Sequence, residues 1–345
     1  MMCCSACKRV HYCGKECQKK NWRVHKSACK VLTSALLLAT HSSAVTVPFP
    51  FEVAASVSTR GAAGWEHFRM DGQDYLCVAN FFTSGPRRQP SMTTDSTIFA
   101  VTQNADLTLQ LAEVQGFRTT GAHGVSHVLA EGFHYLSVPN YYGGDTVIMR
   151  ASAEDKKSKR SFSELQRIPT DGGGNTEIFH VGERVFLGIA EFNLGIAAIY
   201  ELQGGRFVPW QRVEAPGCGA MATLTVPAEG GGEQLLLITS SYVTRQTGWR
   251  TKSSVFYLNG AASAFSKHQE VSTVGAHGVA TIVAGGRFFV FFSNDKDERT
   301  TLQESELFEW VGVFPSGSLE SRQKVRSSRP CVLVLNYCKA SFICR

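Results

Sequence analysis

The sequence predicts a mainly β protein built as a β-propeller, preceded by a small cysteine-rich head. Three observations carry that prediction. Thirty-two glycines and 22 phenylalanines in a chain that is 43% hydrophobic suit short strands joined by tight turns. Five look-alike stretches begin at Thr59, Thr119, Thr170, Gly217 and Thr273, and their spacing stays near the roughly 40–50 residues of a propeller blade. Each divides into four strand-like runs, the number a blade requires. A repeated sandwich is the competing architecture, but the period is long for it.

The head comes first. Residues 1–30 hold eight Lys/Arg and one acid, whereas the other 315 carry 27 bases and 28 acids, so the basic character of this +6 chain belongs to the head. Six of the 11 cysteines lie there, spaced Cys4-x2-Cys7, Cys13-x3-Cys17 and His25-x3-Cys29, with Cys3 beside Cys4. Four soft ligands converging on one ion make a tetrahedral zinc site. A C-x2-C pair does this through a tight knuckle. C-x3-C and H-x3-C do it from one helix face, and residues 15–28 lack Pro and Gly and can be helical. A disulfide framework is the alternative, but it leaves His25 without a role.

The stretch YCGKECQKKNWRVHKSAC resembles the end of a MYND-type zinc finger: Tyr12, Cys13, Cys17, Gln18, Trp22, His25 and Cys29 all fall on its pattern. The resemblance covers residues 3–29 only. It implies two zinc ions in an interleaved cross-brace, with Cys4, Cys7, His25 and Cys29 around one and Cys13 and Cys17 on the other. The family's first C-x2-C pair would fall ahead of Cys4, so one complete site and one incomplete site are expected. The resemblance also implies docking of short Pro-containing peptides. The alternative, nucleic-acid binding by the basic face, is weighed below a solvated face that offsets thiolate charge. Trp22 reads as small-domain core.

Residues 31–50 form a linker. Its VLTSALLLA run (31–39) is internal and follows the charged head, so it is not an N-terminal secretion signal. No run is long and apolar enough for a transmembrane helix.

Residues 51–325 form the repeat body. The strand-like runs are clearest in the first unit (GWEHFRM, DYLCVANFF, STIFAVTQ, LTLQLAEVQG) and in the third (NTEIFHV, RVFLGIAEF, IAAIYELQ, FVPWQRVE). Turn signals such as Asp71-Gly72, Gly204-Gly205 and Gly285-Gly286 fall between runs. The second run of each unit is nearly continuously apolar, as a strand buried on both faces must be. The phrase from Gly61 to Asn80 resembles the EAR repeat, also called EPTP or epitempin, and the other four units are weaker copies. That resemblance implies seven-bladed propellers that bind other proteins. Five units are visible here, with FEVAASVSTRG (51–61) reading as the outer strand of a preceding blade. Residues 326–345 match no repeat and read as an unassigned tail.

His123 and His277 share a GAHGV motif, but Ala63 holds the equivalent place in the first unit, so the motif reads as a turn that accepts His. Asn80, Asn140, Asn193 and Asn294 recur after the second run and read as turn caps. Cys77 and Cys218 read as buried core, and Trp65, Trp210 and Trp310 as fillers between blades. No phosphate loop, G-x-S-x-G or H-E-x-x-H is present. Some MYND proteins are lysine methyltransferases, but nothing in this β body looks like that catalytic domain. The reading is a non-enzymatic zinc-binding adaptor that docks protein or peptide partners through finger and propeller. The alternative is a propeller hydrolase or lyase using Glu66, His67, Glu177 and His180. The unpaired Cys77 and Cys218 point to the cell interior, cytoplasm or nucleus, although EAR repeats occur mostly in extracellular proteins.

Overall fold

The computed structural model describes residues 55–325, apart from 86–87, 106–107, 152–160, 261–263 and 301–302, and the backbone of four short strands outside that span. The chain divides into two units, Met1–Val53 and Ala54–Arg345. In the first, β1 (Met2–Cys3) pairs antiparallel with β2 (His11–Tyr12). The six expected metal ligands and the linker lie outside the described residues.

The second unit is β throughout. Its first blade consists of β3 (Ala62–Met70), β4 (Gln73–Asn80), β7 (Thr93–Gln103) and β8 (Leu109–Thr120), with a small hairpin, β5 (Thr83–Gly85) and β6 (Arg88–Ser91), inserted after β4. The second is β9 (Ser126–Ala130), β10 (Phe133–Asn140), β11 (Asp145–Ala151) and β12 (Phe162–Pro169). The third is β13 (Gly173–Val181), β14 (Arg184–Glu191), β15 (Ile196–Gln203) and β16 (Arg206–Glu214). The fourth is β17 (Cys218–Pro227), β18 (Glu233–Ser241), β19 (Arg250–Asn259) and β20 (Ala264–Val274). The fifth is β21 (Ala276–Ala284), β22 (Arg287–Asn294), β23 (Ser305–Val311) and β24 (Ser318–Val325). All pair antiparallel in sequence order, and the first strands of successive blades lie side by side, as in a β-propeller.

Of the strand expected at 51–61, the described residues 55–60 form no part. In the tail, the backbone of β25 (Cys331–Asn336) pairs with that of β26 (Lys339–Cys344) in a sheet of their own, outside the five blades.

The predicted turns are hairpin turns of the primed kind. Asp71 and Gly72, Gly204 and Gly205, and Gly285 and Gly286 all have positive φ, which matches the right-handed twist of the flanking strands.

Burial follows the sheet period. Each blade packs its forward face on the next, giving four inter-blade cores. Phe68, Ile98 and half-buried Tyr75 line the first, Val128, Tyr135 and Ile148 the second, Phe179, Phe186 and Ile199 the third, and Leu224, Leu236 and Val255 the fourth. Removing each such side chain from water contributes about 1.5–3 kcal/mol. Trp210 and Trp310 fill these cores as expected. Trp65 does not: it is half-buried and outside all four. Cys77 and Cys218 are fully buried. Burial pushes both thiols up, that of Cys218 to about 12, so both stay protonated and inert.

A second device joins the blades. The fourth strand of each blade bulges against the third, and the residue just past the bulge is Gln115, Gln166, Gln211, Gln269 or Gln323. Four of these amides clamp one backbone residue on the outer strand of the following blade. Gln115 grips Phe162, accepting from its N–H (2.8 Å) and donating to its carbonyl (2.6 Å). Gln166 grips Phe207 at 3.0 and 2.8 Å. Gln211 grips Phe265 at 2.6 and 2.9 Å, and Gln269 grips Leu319 at 2.8 and 3.0 Å.

Two predictions follow from this framework. Gly217 has φ +70°, and a Cβ there would lie 2.6 Å from the Val243 carbonyl oxygen, whereas Gly72 has φ +78° and open space. Urea unfolding of Gly217→Ala should show a loss of about 2 kcal/mol or more, and Gly72→Ala about 1 kcal/mol. In blade five, Glu309 accepts from Arg287 (2.6 and 2.7 Å) and Arg322 (2.8 Å), and the Arg287 guanidinium, with help from Arg322, holds its carboxyl at about 2. A carboxyl held below its usual value stabilises the fold above that usual value and loses the effect as pH falls toward 2. Both guanidiniums are partly solvated, so Glu309→Gln should cost about 1–2 kcal/mol at neutral pH, and the difference from wild type should vanish near the acid limit of pH-dependent unfolding.

Candidate functional site

Each blade opens with a left-handed glycine: Gly61, Gly121, Gly172, Gly217 and Gly275 all have φ between 57° and 70°. The carbonyl of each accepts the N–H of the residue just past the second strand. The five bonds run from Phe81, Tyr141, Phe192, Tyr242 and Asp295, at 2.8–3.0 Å. Four aromatic side chains, one from each of blades one to four, are thereby fixed at one register position at the same end of their blades.

Directly after the glycine, the first strand skips register in blades one, three, four and five. Such a bulge turns its extra residue out of the ladder. The residues so turned are Ala63, Gly174, Gly219 and His277, and His123 holds the same place ahead of β9. Blade backbones meet here too closely for larger groups. A Cβ on Gly174 would lie 2.5 Å from the Gly219 carbonyl oxygen, and one on Gly64 would lie 2.7 Å from the Gly124 Cα.

The two histidines are therefore more than turn residues. Their rings meet at 5.0 Å between centroids. From there a closed circuit of ring contacts runs through four blades: His123 to Tyr141 at 6.2 Å, Tyr141 to Phe192 at 6.2 Å, Phe192 to Tyr242 at 6.3 Å, and Tyr242 to His277 at 4.8 Å. Phe81 packs on His123 at 5.4 Å. Inside lies a cavity of about 90 Å³ lined by Tyr141, Phe192, Tyr242, His277, Gly174 and Gly219. Tyr142 and Leu194 stand exposed nearby in sequence, 56% and 51% open to solvent. Burial, then neighbouring Tyr142 and Asp171, raise the Tyr141 phenol, so it remains a neutral donor. The Tyr242 hydroxyl donates to Asp295 (3.0 Å), and the Lys296 ammonium sits 4.5 Å from the Trp249 ring centre. Tilted and edge-on rings with polar tips suit an interface that is apolar inside and wet at its rim.

The expected asparagine caps form at Asn80 and Asn140 and depart from that pattern at Asn193 and Asn294. Asn80 and Asn140 accept the backbone N–H of Arg60 (3.2 Å) and Thr120 (3.0 Å). In the third blade that place belongs to Glu191, which accepts from Asp171 N–H at 3.0 Å, while Asn193 lies two residues on and donates to the Asp171 carboxylate. A longer side chain carries the same oxygen to the same amide. Asn294 donates to the Glu304 carbonyl.

The four residues of the catalytic alternative are engaged separately. His67 pairs with Asp74 at 3.1 Å. Glu177 accepts from the Thr223 N–H and hydroxyl, joining blades three and four. Glu66 is buried, and His180 is exposed. None lines the aromatic cavity, and no group of three or more potential metal ligands occurs among the described residues. Sequence reasoning missed the aromatic circuit and the glutamine clamps. The signals were present: an aromatic after each second run in units one to four, and a Gln four residues ahead of Thr119, Thr170, Ala215 and Thr273.

Comparison with known proteins bears on both units. Residues 1–29 match the MYND finger family, and residues 51–99 match the EPTP domain family. A human thrombospondin-type laminin G domain and EAR repeat-containing protein is 24% identical over 272 residues, 74% of this chain and 38% of that protein. The SET domain and MYND-type zinc finger protein 6 of Schizosaccharomyces pombe is 53% identical over 32 residues, 9% of this chain and 7% of that protein. The chain thus spans well under half the length of these relatives. A solved structure of a protein from Lactobacillus plantarum superposes with a TM-score of 0.52 at 13% identity, over 84% of this chain and 82% of that one, a likeness of fold alone.

The close approach of blades three and four is testable. Gly174→Ala should force the inner strands apart, cost about 1–3 kcal/mol in thermal or urea unfolding, and alter the near-ultraviolet dichroism of the enclosed tyrosines.

Proposed function

We propose that the chain is a zinc-binding interaction adaptor with two docking sites, the MYND finger at one and the aromatic circuit of the propeller at the other. The circuit is the observation that carries this reading. It offers a preformed apolar cavity ringed by Tyr, Phe and His with polar groups at the edge, the composition of interface hot spots. Its partner is a protein or peptide that inserts an apolar side chain between Tyr141, Phe192 and Tyr242. No reaction is required of this site, and we propose none.

In the finger, Cys4, Cys7, His25 and Cys29 supply the thiolate and imidazole donors that zinc prefers. They would hold one structural ion, whose contribution is to fold the head. Cys13 and Cys17 would supply half of a second site. The buried thiols of Cys77 and Cys218 are compatible with a reducing compartment.

The test uses the full chain. Native mass spectrometry should give one zinc per chain, lost in His25→Ala and kept in Cys13→Ser. Crosslinked partners should divide into a set lost in Phe192→Ser and a different set lost in His25→Ala. Absence of zinc, or full retention of all partners by both variants, would sink the adaptor reading.

A further inference from the structure

The aromatic circuit carries two carboxylates that a purely apolar guest leaves without a role. Asp295 accepts from the Tyr242 hydroxyl at 3.0 Å. Asp171 is near enough to Tyr141 to add, after burial and Tyr142, to the rise of its phenol, and it accepts from the Asn193 amide at 2.7 Å. Neither acid has an ion-pair partner among the described residues. Asp95, Asp145 and Asp297, which follow the second strands of blades one, two and five, are instead held by Arg118, Arg167 and Arg250 at 3.2, 2.6 and 3.3 Å. The two acids left without a base adjoin two rings of the circuit.

The rings can use that charge. Tyr141, Phe192, Tyr242 and His277 stand in succession at 41°, 56° and 77° to one another, so they wall a hollow instead of stacking. An aromatic face attracts a cation through its quadrupole. The chain already places one against these rings. The Lys296 ammonium lies 4.5 Å from the Trp249 ring centre and 5.9 Å from that of Tyr242, and the two rings are 4.8 Å apart.

The lining selects the kind of cation. The hollow holds about 90 Å³ between the rings, Gly174 and Gly219, less than the roughly 300 Å³ from which small-molecule sites begin, so it suits a compact head group. A bare lysine ammonium is strongly hydrated and brings three N–H donors, and aromatic walls give these no matching set of acceptors. A trimethylated ammonium has no N–H to satisfy and turns methyl groups to the rings. A phosphocholine head carries the same ammonium, but its phosphate would sit a few atoms away, where Asp171 and Asp295 repel it. The stem of a lysine is uncharged and apolar.

We propose that the aromatic circuit binds a trimethylated lysine side chain of a partner protein, with the ammonium between Tyr141, Phe192 and Tyr242 and its charge balanced by Asp171 and Asp295. The proposal rests on the docking role of the propeller and names the group inserted there. The methyl surface fills the apolar hollow, and the positive charge gives the two carboxylates their partner. Lys296 is a competing cation from the chain itself, because it lies against Tyr242.

The experiment is titration calorimetry of the full chain with three capped amino acids: trimethyl-lysine, lysine, and the carbon isostere of trimethyl-lysine, in which a tert-butyl group keeps the shape and removes the charge. Trimethyl-lysine should bind about tenfold tighter than either of the others. Asp295→Asn should cut that preference about threefold and leave the isostere unchanged. Phe192→Leu keeps an apolar wall and removes a π face, so it should cut the preference as well. Circular dichroism checks folding, and Asp295→Asn carries the test if Phe192→Leu does not fold. Lys296→Met should tighten trimethyl-lysine about threefold. Equal binding of trimethyl-lysine and its isostere overturns the proposal and leaves apolar docking standing. So does an Asp295→Asn protein with the wild-type preference. Binding of none of the three overturns the proposal too, and the partners lost in Phe192→Ser then decide the docking role separately. Capture by phosphatidylcholine vesicles without binding of capped trimethyl-lysine would assign the hollow to a lipid head group and overturn the proposal.

Discussion

Every blade depends on one left-handed glycine. Its carbonyl receives the amide that follows the second strand, and its positive φ turns the chain from the outer strand of one blade into the inner strand of the next. No other residue suits the position, because a Cβ would meet a carbonyl or ring of the chain it bonds: Phe82 at Gly61, Tyr142 at Gly121, Val243 at Gly217 and Lys296 at Gly275. That bond ties the start of the inner strand to the end of the second strand and places the side chains that follow.

The aromatic circuit is a consequence of that bond. The donor residue in four blades is Phe81, Tyr141, Phe192 or Tyr242, so geometry that the backbone repeats is expressed as a ring of side chains. The bulge beside each glycine adds His123 and His277, and glycine at positions 174 and 219 lets the backbones approach closely enough for the circuit to close. Hydroxyl relays stiffen the same end. Ser96 accepts from Asn80 N–H and bonds the Thr119 hydroxyl, and Ser253 does likewise between Ser241 and Thr273. These relays explain why a threonine heads most of the repeated stretches.

Much of this architecture is readable in the amino acids. Period-2 burial, doubled glycines with positive φ and the recurrent Thr-x-Gly signal mark five blades and nearly all their strands, because each reflects a local backbone demand. What was hidden depends on partners distant in sequence. Glu191 replaces Asn because only the position of one oxygen matters, so side-chain identity misled the register toward Asn193. Phe81 looked like a continuation of an apolar strand, and nothing local shows that it leaves the sheet to meet His123. Trp65 was expected between blades, yet size alone does not decide which face of a strand a residue takes. The finger's ligands were read from spacing, and they lie outside the described residues.

The glutamine clamp reads main-chain atoms and ignores the identity of the residue it holds: three phenylalanines and a leucine serve equally. At this one contact, the residue held can change its side chain without a matching change in the glutamine. Duplication of a unit delivers a working joint at once. A joint made to backbone is compatible with five copies that differ widely in wording and still build one sheet plan.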